Sequence, residues 1–458
     1  MIKIGLLPLY LKLYDDTMPE LRKEFDSFQE EIIRMLEERG LSIVKSSVCR
    51  VKPEFEDAAN LFKKNNVDAV ITLHLAYSPS LESADALKSL KVPVIVLDTT
   101  PDFDFSMEQI AGKIMFNHGI HGVQDMCNLL LRNGVQYFVC AGHYKSSDVL
   151  DRVTRFAKAA HMVNKIKNCH IGIIGSPFEG MGDFGISFDI LKKTIGMDVS
   201  TFSFDKYEIY EKMINREEVE EEYQRHLESF VVEVEEEFHK QSIVPNLVVR
   251  KWMEENRLDG FTASFTDIKK GNGFTSMPFL EACMQMAEGK GYAGEGDVFT
   301  AALICSLMSV FKDVSFIEMF CPDWQNGAVF ISHMGEMNLN LSYKKPVLVR
   351  KPFPYTDAED PIAAYGGFKP GQCVLVDLAP SAEGYNLILS NVEMLEPVVN
   401  TDIKYSVHGW FQPKRALHEF LEEYSRYGGT HHLACVYTDE IEIIKAFGKM
   451  MGFTTVLI

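Results

Sequence analysis

The chain has 458 residues, of which 46% are hydrophobic and 24% are charged, as is typical of a globular protein with a packed core. Its 65 acidic and 46 basic residues give a formal net charge of −19. Such a field repels a phosphate backbone, which argues against a nucleic-acid partner. No apolar run approaches the roughly 18 residues of a membrane-spanning helix, so we expect no membrane partner either.

The nine cysteines are scattered, odd in number and never in C-x-x-C spacing. This pattern predicts reduced thiols and a cytoplasmic protein rather than a disulfide framework or an all-cysteine zinc site. The first residues, MIKIGLLPLYLKLYDD, lack a basic stretch followed by a small-residue cleavage site, so they predict a strand and not a signal peptide. The length alone favours about three domains.

Strand and helix patterns alternate along the first third of the chain. Short apolar β runs separated by helices predict a parallel, doubly wound sheet whose ligand side lies at the carboxyl ends of its strands. The predicted strands cover 1–9, 41–48, 67–75, 92–100 and 135–143, and the predicted helices cover 18–40, 54–66, 80–90, 122–134 and 147–163.

A second α/β unit begins with a strand, a glycine-rich turn and a helix over residues 169–196. The spacing of its glycines does not match G-x-G-x-x-G, so this turn is interpreted as a loop that lines a ligand site or packs, and not as a nucleotide site. The acidic segment 216–238 keeps apolar residues at helical spacing. It predicts one amphipathic helix with a solvated acidic face and no catalytic role.

Beyond residue 312, short β runs alternate with turn-rich segments, and a short helical tail follows. The fold class predicted from these patterns is α/β, with two doubly wound parallel-sheet domains followed by a mostly antiparallel, barrel-like β domain. The predicted domain boundaries are 1–167, 168–311 and 312–458.

Four residues stand out as candidate metal ligands. Glu295 lies between two glycines where a loop becomes a helix, and Glu318 lies in the apolar run SFIEMF. His333 follows the strand-like FIS, and His432 lies in GGTHHLACVY. Two carboxylates and two imidazoles suit Mn²⁺, Fe²⁺, Co²⁺ or Zn²⁺, and open octahedral positions favour Mn²⁺ or Mg²⁺. His431 adjoins His432, so on a strand only one of the two would face the site.

Other residues near these four have simpler interpretations. Asp297 precedes the helix that starts with VFTAAL, and we predict that it is the N-cap of that helix rather than a ligand. Phe178 and Phe265 are candidate apolar walls for a bound substrate, with burial in the core as the alternative.

The segments around the four candidates carry a family resemblance. The block FTASFTDIKKGNGFTSMPFLEACMQMAEGKGYAGEGDVFTAAL and the motifs SFIEMF, ISHMGE and GGTHHLA occur in this order. They resemble the metal-site segments of the L-arabinose isomerase and L-fucose isomerase superfamily, and of its arabinose isomerase branch in particular. Upstream, LHLAYSPS, FNHGIHGVQD and CAGHYKSSDVLDR are similar to N-terminal segments of that branch.

The resemblance implies a three-domain aldose–ketose isomerase that acts on a monosaccharide. Glu295 and Glu318 would then be both metal ligands and proton carriers, and His333 and His432 would complete the metal site. His121 would contact the substrate. The metal would be Mn²⁺, with Mg²⁺, Co²⁺ or Fe²⁺ as substitutes. The family forms trimer-based homo-oligomers, so a trimer or hexamer with the active site near a subunit interface is expected.

Shifting a carbonyl from C1 to C2 by proton transfer passes through a cis-enediol, and a metal-assisted hydride shift is the chemical alternative. The family's N-terminal GSQ contact is replaced here by LLPLYLKLYD, which leaves the sugar open. An isomerase or epimerase of a deoxy, sulfo- or phospho-sugar is one alternative function. A non-catalytic sugar-binding protein is another.

Overall fold

The computed structural model describes residues 1–397 and 403–458, which form two compact units. We call Met1–Asn164 with Glu442–Met451 the first unit, and Lys165–Ile441 with Gly452–Ile458 the second unit. The fold class predicted from the sequence is confirmed, with parallel sheets in the first part of the chain and mostly antiparallel sheets after it. The division into three domains at 167/168 and 311/312 stays a prediction.

The first unit is built on a five-stranded parallel sheet with the strand order β2-β1-β3-β4-β5. Its strands are β1 (Ile2–Leu9), β2 (Leu41–Lys45), β3 (Ala69–His74), β4 (Val94–Asp98) and β5 (Tyr137–Ala141). Its core joins apolar residues of β1, β3 and β4, such as Leu7, Val70 and Val96, to the apolar faces of the flanking helices. Burial of both sheet faces explains why these strands are continuous apolar runs in the sequence.

Seven α-helices follow or precede these strands. They are α1 (Lys12–Thr17), α2 (Asp26–Glu37), α3 (Lys52–Lys64), α4 (Ser80–Leu90), α5 (Ile114–Asn117), α6 (Ile120–Arg132) and α7 (Val149–Asn168). The helix predicted over 18–40 is shorter, because a 3₁₀ turn at Leu21–Phe25 precedes α2. None of the helices in the described part of the chain has the length and hydropathy that a bilayer crossing requires.

The second unit begins with a four-stranded parallel sheet in the order β10-β9-β6-β7. The helices and strands of this part of the chain are β6 (His170–Ile174), α8 (Phe188–Thr194), β7 (Asp198–Thr201), α9 (Tyr207–Met213), α10 (Arg216–Ser229), β8 (Val231–Glu233), α11 (Glu236–Asn256), β9 (Gly260–Ala263), α12 (Phe279–Ala287), β10 (Gly291–Gly294) and α13 (Val298–Met308). The loop between β10 and α13 lies at the carboxyl end of this sheet, where parallel sheets commonly bind ligands.

The rest of the second unit contains a closed antiparallel barrel. Outside the barrel, β13 (Val347–Arg350) and β14 (Ile362–Tyr365) form a three-stranded sheet with β8. The barrel sheet and its helix comprise β11 (Val314–Asp323), β12 (Ala328–Ser332), β15 (Gly371–Ser381), β16 (Gly384–Met394), β17 (Gly409–Pro413), α14 (Leu417–Arg426), β18 (His432–Val436) and β19 (Thr454–Leu457). The sheet order is β15-β18-β11-β12-β17-β16-β19, and pairing of β15 with β16 closes a six-stranded ring. The helix α15 (Ile441–Met451) follows β18.

The single helix predicted over 216–238 is wrong. The helix α10 ends at Ser229, and Val231–Glu233 forms β8, which pairs in parallel with β13 before α11 begins at Glu236. The β-branched pair Val231 and Val232 is more stable in this sheet than in an exposed helix. Helical spacing alone cannot reveal a partner strand that lies more than a hundred residues away along the chain.

Burial of a histidine pair between α10 and α11 predicts acid sensitivity. His239 Nε2 lies 2.9 Å from His226 Nδ1, and burial, followed by the nearby His226 and Lys240, lowers the pKa of His239 from 6.5 to about 4. The unfolded chain therefore binds a proton at this position more readily than the folded chain does. The contribution of His239 to the free energy of unfolding should therefore fall by about 1 kcal/mol as the pH falls from 6.5 to 5.5.

Chemical unfolding of the full chain and of His239→Gln at both pH values measures this effect. Glutamine can keep a hydrogen bond to His226 but does not titrate. The wild type should lose about 1 kcal/mol more than the variant over this range. Parallel losses in the two proteins would contradict the prediction.

Candidate metal centre

Strand pairing in the barrel brings three of the four candidate ligands together. On β11, Glu318 lies opposite His432 of β18 on one side and opposite Ser332 of β12 on the other. His333 directly follows Ser332 at the end of β12. Because directly opposed residues on antiparallel strands project from the same face, this register places Glu318 and His432 side by side.

Glu295 reaches the same place from the loop that joins β10 to α13. Its backbone has φ = 60°, in the left-handed region that non-glycine residues rarely adopt. A Cβ on Gly294 would lie 2.6 Å from Cε1 of His333, and a Cβ on Gly296 would lie 2.6 Å from Cα of Pro177. Both flanking glycines are therefore required for close approach, and the loop holds a strained glutamate where a ligand site is expected.

The four candidates and His431 form two overlapping donor groups. One contains Glu295, His431 and His432, and the other contains Glu318, His333 and His432. Within each group, one donor atom of each residue lies within 4.8 Å of the others. Nε2 of His333 lies 3.7 Å from Oε2 of Glu318, and Nε2 of His431 lies 3.8 Å from Oε2 of Glu295. His432 is common to both groups.

Several of these donor atoms have no hydrogen-bond partner. Among the described residues, Oε2 of Glu295 and Nε2 of His431 and His432 are buried without one. An unpaired buried polar atom costs free energy, so a site that gathers three of them is suited to binding a ligand. Carboxylate oxygen and imidazole nitrogen are the donors that first-row divalent cations take. The residues present therefore fit a metal ion.

Each histidine of the site has a carboxylate at its other ring nitrogen. Nδ1 of His333 lies 2.7 Å from Glu336, and Nδ1 of His432 lies 3.1 Å from Asp297. A hydrogen bond from Nδ1 to a carboxylate sets the tautomer and leaves Nε2 free to bind a metal. Tyr292 donates a hydrogen bond of 2.8 Å to the second oxygen of Glu336.

The prediction that Asp297 is a helix N-cap is confirmed, and Asp297 also has a second role. Its Oδ1 accepts hydrogen bonds from the backbone N–H groups of Phe299 at 3.1 Å and Thr300 at 2.9 Å, so it is the N-cap of α13. Its Oδ2 lies beside His432. One fully buried carboxylate therefore caps the start of α13 and orients a candidate ligand.

Both adjacent histidines contribute to the cluster, contrary to the expectation for two neighbours on a strand. The strand β18 begins at His432, so His431 precedes the pleated segment and the alternation of faces does not apply to it. The two rings lie 4.2 Å apart. Nδ1 of His431 lies 2.5 Å from Asp183, which repeats the carboxylate–histidine pattern. Neither Asp183 nor Glu336 was singled out by the sequence pattern.

The electrostatics of the site favour a positive charge. Burial opposes protonation of His431, but Glu295 and Asp183 outweigh it and raise the pKa of His431 to about 9. Burial also opposes protonation of His333, and nearby carboxylates nevertheless raise its pKa. Burial raises the pKa of Glu318, and the nearby histidines offset this only in part. A cluster that holds extra protons in this way is suited to a divalent cation.

The predicted substrate residues occupy two places. Phe178 and Phe265 are half-buried, and their ring centres lie 5.0 Å apart. The backbone N–H of Phe178 donates a hydrogen bond of 2.9 Å to the carbonyl of Glu295, so this aromatic pair adjoins the metal candidates. His121 lies in the first turn of α6 in the first unit, exposed, with its ring 5.8 Å from that of His118. Their contact with a substrate stays a prediction.

A buried aspartate holds the loop that carries the two histidines. Asp377 on β15 accepts hydrogen bonds from the backbone N–H of Thr430 at 2.8 Å and from the hydroxyl of Tyr424 at 2.9 Å. Oγ1 of Thr430 lies 2.8 Å from Asp377 Oδ1 and 2.7 Å from the carbonyl of His432. Burial raises the pKa of Asp377 to about 7, although its hydrogen bonds with Thr430 and Tyr424 oppose the shift.

Replacing Asp377 by alanine should therefore affect both stability and metal binding. It leaves a buried N–H group unpaired, which we expect to lower the free energy of unfolding by about 1–3 kcal/mol. Affinity for Mn²⁺ should fall by about tenfold or more because the histidine loop is released. Thermal melting with and without Mn²⁺ measures both effects. Asp377→Asn keeps most of these hydrogen bonds, so it should retain its affinity for Mn²⁺. Loss of Mn²⁺ affinity in Asp377→Asn without a loss in Asp377→Ala would contradict this account.

Comparison with protein families covers nearly the whole chain. The model of the L-arabinose isomerase N-terminal domain matches residues 13–168, and that of its central domain matches 191–313. The model of its C-terminal domain matches 313–454. The three models follow one another in the order of the family and include every candidate ligand.

Full-length relatives agree with these matches. The L-arabinose isomerase of Shouchella clausii is 25% identical over 99% of this chain and 93% of its own length. That of Geobacillus kaustophilus is 24% identical over 85% of this chain and 80% of its own length. Among solved structures, an ABC transporter periplasmic solute-binding protein from Actinobacillus succinogenes with bound D-allose covers 64% of this chain and 77% of its own. Its sequence identity is 10% and its TM-score is 0.18. With three consecutive domain models matched along its length, the chain belongs to the L-arabinose isomerase family.

Proposed function

We propose that this protein is a metal-dependent aldose–ketose isomerase whose substrate is L-arabinose or a closely related aldose. Membership of the L-arabinose isomerase family supports an intramolecular oxidoreductase that acts on a sugar. The observation that carries the proposal is the pair of donor groups that share His432, with buried and unpaired donor atoms directed at one place.

We infer that Glu295, Glu318, His333 and His432 hold the metal. When bound, a divalent cation polarises the substrate oxygens and stabilises the negative charge that develops on them. Mn²⁺ is the first choice for a shell of two carboxylates and two imidazoles with open positions, and Mg²⁺, Co²⁺ or Fe²⁺ are substitutes. Glu336 and Asp297 orient the two imidazoles through their Nδ1 atoms.

The two glutamates are proposed to move the protons. Isomerisation removes a proton from C2 of the aldose, returns one to C1 and transfers one between O1 and O2 through a cis-enediol. A carboxylate near each end of this two-carbon unit can act as base and then as acid. Glu295 enters from the strained loop and Glu318 from the barrel, so the two side chains come from different elements. Incorporation of solvent deuterium at C1 of the ketose would support this route over a hydride shift.

The substrate contacts, the oligomeric state and the cellular location are also proposals. Phe178 and Phe265 form an apolar wall beside Glu295, and His121 contacts the sugar. We also propose a trimer-based homo-oligomer with the active site near a subunit interface. The nine cysteines are all free thiols, which supports a cytoplasmic protein.

Chelation tests the proposal directly. The purified protein is freed of metal, checked by elemental analysis, and assayed for ketose formation from L-arabinose and from a panel of other aldoses. We expect no turnover without metal and recovery with Mn²⁺. Thermal melting of the metal-free protein serves as the control for folding. Undiminished turnover in a protein shown to be metal-free would refute metal dependence, and no ketose from any aldose would refute the isomerase.

A further inference from the structure

A groove in the first unit is lined mainly by basic residues. It has a volume of about 300 Å³ and lies between α7 and α15. We call it the basic groove. Its lining residues are Arg152, Arg155, Phe156, Glu442, Lys445, Ala446 and Lys449.

The spacing of these residues places them on one face of each helix. Arg152, Arg155 and Phe156 are three and four residues apart on α7, and Lys445 and Lys449 are four apart on α15. Residues at these spacings are neighbours on a helix surface. Each helix therefore presents two cations to the groove, and Phe156 and Ala446 provide apolar surface between them.

Two of the four cations are not neutralised. Arg152 donates to Asp148 at 3.0 Å and to the carbonyl of Ala141 at 2.7 Å, and Lys445 pairs with Glu442 at 2.7 Å. Within residues 1–397 and 403–458, neither Arg155 nor Lys449 has a carboxylate partner.

Both of these cations line the groove, one from each helix. Arg155 is half-buried, and Nζ of Lys449 lies 5.4 Å from the ring centre of Phe138. In a chain with a net charge of −19, a groove that concentrates uncompensated positive charge is unusual. Like charges that face one another repel unless an anion lies between them. A phosphate monoester dianion matches two free cations, and a guanidinium binds phosphate oxygens in a bidentate manner.

We propose that the basic groove binds a small phosphate monoester that carries a ring, with the phosphate between Arg155 and Lys449 and the ring against Phe156. The groove volume is at the lower end of the range for small-molecule sites, and the overall negative charge of the chain disfavours a nucleic acid. The groove shares no residue with the proposed metal site, so either proposal can hold without the other.

Phenyl phosphate is the probe, because it has the phosphate and the ring but no sugar that could enter the isomerase site. Calorimetric titration of the full-length protein at low ionic strength should show one site per chain. Phenol should not bind, and inorganic phosphate should bind more weakly than phenyl phosphate. Affinity should fall as salt rises.

The double variant Arg155→Ala/Lys449→Ala should bind phenyl phosphate at least about tenfold more weakly. The matched control is Lys88→Ala/Arg132→Ala, which removes two exposed cations of the same unit outside the groove and should bind as the wild type does. Melting curves verify that both variants are folded. Absent binding in the wild type, or equal affinity in the wild type and the groove variant, would overturn the proposal.

Discussion

Glu295→Gln is expected to lower kcat by about 10²–10⁴-fold, because glutamine has the size of glutamate but cannot accept a proton. The loop should survive the change. Gly294 and Gly296 continue to allow the close contacts with His333 and Pro177, and the backbone bond from Phe178 to residue 295 does not involve the side chain. Turnover of L-arabinose with saturating Mn²⁺, together with the melting temperature, measures the two effects separately.

The matched control for this variant is Glu288→Gln. Glu288 is an exposed glutamate that follows α12 and pairs with Arg225 across 3.6 Å, so its replacement should leave turnover unchanged. The comparison distinguishes loss of a proton carrier from loss of one negative charge. Wild-type rates in Glu295→Gln would remove Glu295 from the reaction. A variant that melts far below the wild type would instead indicate that the strained loop depends on the carboxylate.

His432→Ala is expected to have the largest effect on metal binding, since this residue belongs to both donor groups. Loss of an outer-shell partner alone costs about 10–100-fold in metal affinity, so loss of the shared ligand should cost more than about 100-fold. Removal of the ring also leaves the buried carboxylate of Asp297 without its partner. The stabilisation that Mn²⁺ confers on the folded protein, measured by melting across a Mn²⁺ titration, should disappear.

His418→Ala is the control, because His418 is an exposed histidine of α14. It should show the same Mn²⁺-dependent rise in melting temperature as the wild type. His431→Gln provides an intermediate case, since His431 belongs to only one donor group and should weaken Mn²⁺ binding less than His432→Ala. Equal Mn²⁺ stabilisation of His432→Ala and the wild type would contradict the proposed site.

The strands of the parallel sheets could be predicted from the sequence because their signal is local. The apolar runs around Ile4, Ile71 and Ile95 are buried on both faces and separated by helices, and both properties are visible in a short window of sequence. The closure of the barrel is not local. It depends on β15 pairing with both β16 and β18, and no periodicity within one strand specifies two partners.

The prediction for 216–238 failed for a related reason. Its first part is a helix, as predicted. Asn215 caps this helix, and its side chain accepts hydrogen bonds from the backbone N–H groups of Glu217 and Glu218. After this helix, Val231–Glu233 forms a strand because β13 lies beside it, and a second helix begins at Glu236. A weak local preference was overridden by a tertiary contact, which is common for β-branched residues.

The candidate ligands were singled out by their residue types and local segments, and by the resemblance of those segments to one family, and not by their spacing along the chain. The histidine at position 431 and the carboxylates of Asp183 and Glu336 were missed. Asp183 lies in a glycine-rich loop that the sequence pattern explained as packing or ligand contact. Its bond to His431 joins segments 248 residues apart, so no local pattern could reveal it.

By itself, the sequence determined the α/β class, the change to β structure after residue 312, the cap at Asp297 and, through its motifs, the four candidate ligands. The tertiary structure alone decided that Glu318 lies opposite His432, that Glu295 adopts a left-handed backbone against His333, and that a carboxylate supports each histidine. The reason is physical. Helix caps and apolar periodicity act within a few residues, whereas strand register and buried ion pairs join distant segments only after the chain has folded.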